Sequence, residues 1–90
     1  MKETVYKYPL EIEDEQVVLL PTGARILTVQ QQNNNIFLWA LVNPTSPNEQ
    51  AFTIRIHGTG HAISDSDELE YINTVQLYGG KLVFHVFVKR

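Results

Sequence analysis

The chain contains no cysteine. It therefore has neither a disulfide framework nor a thiolate metal site. Small secreted domains usually depend on disulfides because their cores are too small to stabilise them, whereas a cysteine-free chain suits a reducing compartment. We expect a cytoplasmic protein that folds as one domain over residues 1–90.

Long apolar runs are also absent. No stretch approaches the ~20 apolar residues of a membrane-spanning helix. The first ten residues carry charges and Pro9 where a signal peptide would need an apolar run. The sequence therefore disfavours both membrane insertion and secretion.

Positive charge is scarce. Lysine and arginine number 7 against 10 aspartate and glutamate residues, which gives a net charge of −3. Proteins that bind duplex nucleic acid usually gather basic residues into a stripe, whereas here they are scattered. We expect no binding to duplex nucleic acid. Arg25, Arg55 and Lys81 would form a local basic pocket only if folding or assembly gathered them.

Segments rich in β-forming residues alternate with turn signals along the chain. They cover residues 5–12, 16–20, 24–31, 36–42, 52–57, 71–78 and 82–88. Asparagines 33–35 predict a hairpin tip, and Gly79-Gly80 predicts a two-residue hairpin turn. The pattern predicts an all-β fold, namely an antiparallel meander, small barrel or sandwich of six or seven strands. One short helical turn is expected near Ser66.

Residues 36–42 are apolar at every position, and residues 82–88 are apolar except for His85. Such strands are expected to be covered on both faces. A domain of this size buries only about 60% of the surface that its unfolded chain exposes, so a single chain has few residues with which to cover both faces of these strands. We therefore expect a homodimer or a higher homo-oligomer.

The most suggestive segment for function runs from Arg55 to His61. It ends a predicted strand and places two histidines around a glycine loop whose amides can face an anion. In one interpretation Arg55 pairs with an anionic group, the loop amides hold it and an aromatic side chain stacks on a base. The predicted ligand-binding residues are Arg55, His57, Gly58, Thr59, Gly60, His61, Trp39, Tyr71 and Tyr78.

Simpler structural explanations compete with each of these roles. Gly58 and Gly60 alone are typical of a turn between surface histidines. Trp39 is expected in the core of its apolar strand, and the two tyrosines suit ordinary cross-strand packing.

Enzymatic alternatives have weaker support. A zinc site would use His57 and His61 with His85 or Asp65, but histidines four residues apart suit a helix, which Gly-Thr-Gly disfavours. His57-Gly58-Thr59 matches the His-x-Thr element of two-histidine phosphoesterases, yet no second histidine is followed by such a hydroxyl. We expect no metal and no cofactor, and a histidine- or metal-dependent phosphodiester hydrolase remains the third hypothesis.

Four blocks carry a resemblance that spans most of the chain. They are residues 6–12, 38–42, 58–61 and 83–87. In these four blocks the sequence resembles a family of small uncharacterised proteins from tailed phages and prophages. The resemblance implies a protein made in the cytoplasm of an infected bacterium. Small phage proteins often bind host factors, and some sequester nucleotide signals of bacterial immunity.

Two functions follow as expectations. The first is a non-enzymatic, oligomeric phage protein that binds or sequesters a small phosphorylated or nucleotide-like ligand at a subunit interface, with a role against host defence. The second is an interaction protein that binds a host protein or packs in the virion through exposed apolar strand faces.

Overall fold

The computed structural model describes residues 2–90, which form seven β-strands and two short 3₁₀ turns. The strands are β1 (Thr4–Leu10), β2 (Glu15–Pro21), β3 (Arg25–Gln32), β4 (Asn35–Val42), β5 (Glu49–Gly58), β6 (Leu69–Leu77) and β7 (Leu82–Lys89). The 3₁₀ turns are Ser66–Glu68 and Tyr78–Gly80. The helical turn expected near Ser66 is therefore present.

The strands form two antiparallel sheets that share one core. Sheet A has the strand order β1-β4-β3, and sheet B has the order β2-β5-β7-β6. The chain crosses between the sheets after β1, β2 and β4, so only β3–β4 and β6–β7 are simple hairpins. The predicted all-β fold is confirmed, and among the predicted arrangements it is the sandwich.

The two strands that are richest in apolar residues are the central strands of their sheets. β4 lies between β1 and β3, and β7 lies between β5 and β6. The inward side chains of β4 are fully buried, whereas its outward side chains Phe37, Trp39 and Leu41 are only half-buried. The central position explains why these strands are so apolar, but the single chain covers the outer face of β4 only in part.

The core draws side chains from both sheets, because alternate residues of each strand point inward. It consists of Leu10, Leu20, Val29, Ile36, Leu38, Ala40, Val42, Ile54, Ile56, Val75, Leu77 and Val86.

One polar side chain joins the sheets where β3 and β6 lie alongside each other. Asn73 Oδ1 accepts a hydrogen bond from the Thr28 hydroxyl at 2.7 Å and another from the Val29 amide at 3.2 Å. Val29 is fully buried, so Asn73 provides a partner for an amide that water does not reach.

One of the two predicted hairpin turns agrees with the structure, and the other differs from it. Asn33 and Asn34 have φ of 51° and 64°, as a tight hairpin requires. The β6–β7 connection, however, has four residues, because Leu77 pairs with Leu82. Tyr78, Gly79 and Gly80 all have positive φ there. The prediction of a two-residue turn at Gly79-Gly80 was therefore wrong, since the left-handed stretch begins one residue earlier.

Among residues 2–90 the structure has no helix of the length and hydropathy needed to cross a bilayer.

Candidate functional site

The outer face of sheet B carries most of the polar residues that the sequence singled out. Directly opposed residues of antiparallel strands lie on the same face, and the register places two rows of side chains across this sheet. One row consists of Glu15, Arg55, Phe87 and Tyr71. The other consists of His57, His85 and Thr74.

Arg55 is already paired within the chain. Its guanidinium donates hydrogen bonds to both carboxylate oxygens of Asp65, at 2.7 and 3.1 Å, and lies 3.6 Å from Glu15. The hydrogen bond to Arg55 lowers the pKa of Asp65, and the same hydrogen bond raises the pKa of Arg55. With 14% of its side chain exposed, Arg55 is a neutralised structural cation and does not provide an open anion site.

His57 lies near the end of β5, on the outer face of sheet B and opposite His85. It is 8% exposed, and its ring stands edge-on to Phe87 with the ring centroids 5.8 Å apart. Its Nε2 atom is buried and has no hydrogen-bond partner. His57 therefore does not line a surface that a ligand could reach.

The loop residues from Gly58 to His61 form a tight turn. The amide of His61 donates to the carbonyl of Gly58 at 3.1 Å, and Gly60 has φ of 86°, a backbone angle that favours glycine. The His61 ring packs on Gly58, where a Cβ atom would lie 2.9 Å from Cε1 of that ring. The fold therefore accounts for glycine at both positions. Gly60 adopts the backbone angle of the turn, and Gly58 leaves space for the His61 ring to pack against the turn.

A chain of hydrogen bonds leads from this turn across sheet B. The Thr59 hydroxyl lies 2.7 Å from Nε2 of His85. Nδ1 of His85 lies 2.9 Å from the Thr74 hydroxyl, which lies 2.6 Å from the hydroxyl of Tyr71. Each hydroxyl is able to donate or accept, so the side chains of His85, Thr74 and Tyr71 together hold the Thr59 side chain in a fixed position.

An open depression lies beside the Gly58–His61 turn, and we call it the Lys81 depression. Its volume is about 420 Å³. Its lining consists of Gly58, Thr59, His61, Lys81, Leu82, Val83 and Phe84. No carboxylate is among these residues. The ion pairs found within residues 2–90 all involve Arg55, so the Lys81 ammonium has no carboxylate partner in the described part of the chain.

The aromatic residues predicted for the site lie in three separate places. Trp39 is on the outer face of sheet A, 6.0 Å from Phe37 between ring centroids, and thus on the opposite side of the sandwich. Tyr71 belongs to the hydrogen-bonded chain on sheet B, where its ring stands edge-on to Phe87. Tyr78 lies in the same turn as Lys81 and is 55% exposed.

Of the predicted ligand-binding set, the structure therefore brings together Gly58, Thr59, Gly60 and His61 in one turn. It places Lys81 beside this turn and His85 within hydrogen-bond distance of Thr59. The sequence named Lys81 only as part of a conditional basic pocket with Arg25 and Arg55, and neither arginine lines the depression. The proximity of Lys81 to Gly58 depends on β7 pairing with β5, which local sequence does not reveal. Within residues 2–90 no group of three or more histidine, aspartate or glutamate side chains is arranged to hold a metal ion.

Comparison with known proteins gives a family but no activity. The model of a family described as a domain of unknown function (DUF7352) matches residues 1–90. No curated protein and no solved structure is significantly similar to the chain.

Proposed function

The chain belongs to the DUF7352 family, a domain of unknown function, and we propose that it binds a small phosphorylated or nucleotide-like ligand in the Lys81 depression. The observation that carries this proposal is the combination of an unpaired ammonium, a histidine ring and a fixed threonine hydroxyl around one opening without a carboxylate.

The polar side of the depression suits an anionic group. Lys81 supplies a positive charge, and the Thr59 hydroxyl and the His61 ring supply hydrogen bonds. The chain carries a net charge of −3, yet no carboxylate lines this opening, so an anionic group there would meet Lys81 without a competing negative charge. A phosphate group is the natural occupant because it presents several acceptor oxygens to such donors.

The other side of the depression is apolar. Leu82, Val83 and Phe84 line it, and small-molecule sites typically combine such an apolar wall with a few oriented polar groups. A sugar or base joined to the phosphate would lie against this wall. Tyr78 lies in the same turn as Lys81, and we infer that its ring extends this apolar wall when a ligand is present.

The proposal concerns binding without turnover. His85 is held between two hydroxyls, and His57 is buried away from the opening. The arrangement holds a ligand but does not place two exposed histidines on either side of a phosphate, as a two-histidine phosphoesterase would need.

We propose that the protein acts during phage infection, as its resemblance to proteins of tailed phages and prophages implies. In the cytoplasm of an infected bacterium, a protein that binds a nucleotide signal without consuming it would lower the free concentration of that signal. Such sequestration would oppose a host defence that depends on the signal. All residues of the depression come from one chain, so the site does not require a subunit interface.

Isothermal titration calorimetry against ADP, cyclic AMP and inorganic phosphate tests the proposal. We expect heat of binding with at least one nucleotide and a loss of about 10- to 100-fold in affinity for Lys81→Ala, because a charged hydrogen bond is removed. Gly58→Ala, which displaces the His61 ring, is expected to weaken binding without changing the net charge. The matched control Lys2→Ala removes the same charge from the segment before β1 and should leave affinity unchanged. Absence of heat with all three compounds would overturn the proposal.

A second candidate function rests on the outer face of sheet A. Phe37, Trp39 and Leu41 are half-buried there, and tryptophan is enriched at the energetic centres of protein interfaces. We propose as the alternative that a host or virion protein docks on this face. A partner captured from host lysate by the wild-type chain and by Lys81→Ala, but lost with Trp39→Ala, would favour this alternative over ligand binding.

A further inference from the structure

Two sheets have four edge strands, and three of them are protected against pairing with another chain. β3 and β6 lie alongside each other, joined by Asn73, and each contains a bulge. β1 carries Lys7 and Pro9. Lysine, proline, bulges and covering segments are the features that block edge-to-edge association of β-sheets.

The fourth edge strand, β2, lacks this protection. Its sequence has no lysine, its register with β5 has no bulge, and its one proline is the last residue. Its outward side chains Val17 and Leu19 are 61% and 53% exposed. Val17 is the most exposed large apolar side chain within residues 2–90.

We propose that β2 pairs antiparallel with β2 of a second copy of this chain, about a two-fold axis at Val18. The two copies of sheet B would then form one continuous sheet of eight strands. In this register Val17 of each copy lies opposite Leu19 of the other, and Glu15 lies opposite Pro21. The backbone donors and acceptors along the edge gain partners, and the exposed apolar side chains cover one another.

The distribution of charge favours the antiparallel direction of this pairing over the parallel one. An acidic group consisting of Glu11, Glu13, Asp14 and Glu15 leads into β2. Antiparallel pairing places the acidic groups of the two copies at opposite ends of the paired strands, about 20 Å apart at the usual rise per residue. That distance exceeds the Debye length of about 8 Å at physiological ionic strength. A parallel pairing would bring the same carboxylates side by side.

The paired strands have an apolar centre and polar ends. Val17 and Leu19 of both copies make the centre, and the carboxylate of Glu15 lies at each end. An apolar centre with a polar rim is the usual arrangement of a stable interface. Self-association at this edge is separate from ligand binding in the Lys81 depression, so either proposal can fail without the other.

Light scattering coupled to gel filtration tests the pairing with the full chain. At submillimolar concentration we expect twice the 10.3 kDa mass of one chain, and the mass of one chain for Leu19→Lys, which places a charge in the middle of the edge. The control Leu27→Lys makes the same change on the protected edge strand β3 and should leave the doubled mass intact. A wild-type chain with the mass of a single copy, or a Leu19→Lys chain with the doubled mass, would overturn the proposal.

A cysteine pair tests the register and remains informative if Leu19→Lys does not fold. The chain has no cysteine, so Val17→Cys combined with Leu19→Cys introduces the only thiols. Under mild oxidation we expect a disulfide-linked dimer, because position 17 of each copy lies opposite position 19 of the other in this register. Leu27→Cys should stay unlinked. A double-cysteine variant that forms no more dimer than Leu27→Cys would contradict the register.

Discussion

Arg55 donates two hydrogen bonds to the carboxylate of Asp65, at 2.7 and 3.1 Å. The pair fastens the loop after the Gly58–His61 turn onto the outer face of sheet B. The pair also explains why Arg55 does not serve as an anion site. Its position at the end of a strand, next to a glycine loop, suggested such a site in the sequence. The cation available to a ligand is instead Lys81, which comes from the neighbouring hairpin.

Asp65→Asn removes the acceptor charge of this pair. Because the pKa of Asp65 in the folded chain lies below its ordinary value of 3.8, the pair stabilises the fold above that pH. This contribution is lost as the pH falls through the folded-state pKa. We expect a lower urea midpoint for the variant at pH 7, and a difference from wild type that shrinks under strong acid. Glu15→Gln is the control, because Glu15 lies farther from Arg55 and is more exposed. A difference that grows on acidification would contradict this linkage.

Asn73→Ala should destabilise the sandwich by about 1 to 3 kcal/mol, since the buried amide of Val29 loses its acceptor. Thr28→Val removes a donor to the same oxygen but leaves the contact with Val29 in place. Its effect should therefore be smaller. Free energies of unfolding from urea titrations measure both. Equal losses for the two variants would show that Asn73 does not act mainly through the Val29 amide.

His57→Leu tests the buried ring nitrogen. Because Nε2 of His57 has no partner, replacing the ring by an apolar side chain removes a cost of burial. We expect stability to stay the same or to rise by up to about 2 kcal/mol. A loss of stability in chemical denaturation would mean that the histidine ring makes a favourable interaction that leucine cannot replace. Nucleotide affinity should not change, since His57 does not line the Lys81 depression.

Tyr78 has φ of 51°, a left-handed conformation that costs most residues about 1 kcal/mol but that asparagine adopts readily. Tyr78→Asn should therefore maintain or slightly raise the thermal midpoint. If the ring extends the wall of the depression, the same variant should weaken nucleotide binding while inorganic phosphate is unaffected. A fall in the midpoint would indicate that the exposed ring makes packing contacts that outweigh the backbone strain.

The sequence predicted the strands well because alternation and turn residues are local signals. Asn33 and Asn34 give the hairpin tip, and the uninterrupted apolar run of β4 reflects its central position. Local signals did not reveal pairing between distant strands. That pairing places Trp39 on one side of the sandwich and His57 on the other, and it brings Lys81 beside Gly58. The role of Arg55 was equally hidden, since its partner Asp65 lies in an irregular loop.

A nuclear magnetic resonance titration of the ¹⁵N-labelled chain with ADP tests most directly whether the Lys81 depression binds a nucleotide. If the Lys81 depression is the binding site, the amide shifts that change should cluster at Thr59, Gly60, His61, Lys81 and Leu82. The same titration of Lys81→Ala should then show much smaller changes at equal ligand concentration. Changes confined to the amides of β4 around Trp39, or no changes with ADP, cyclic AMP and phosphate alike, would show that the depression does not bind these ligands.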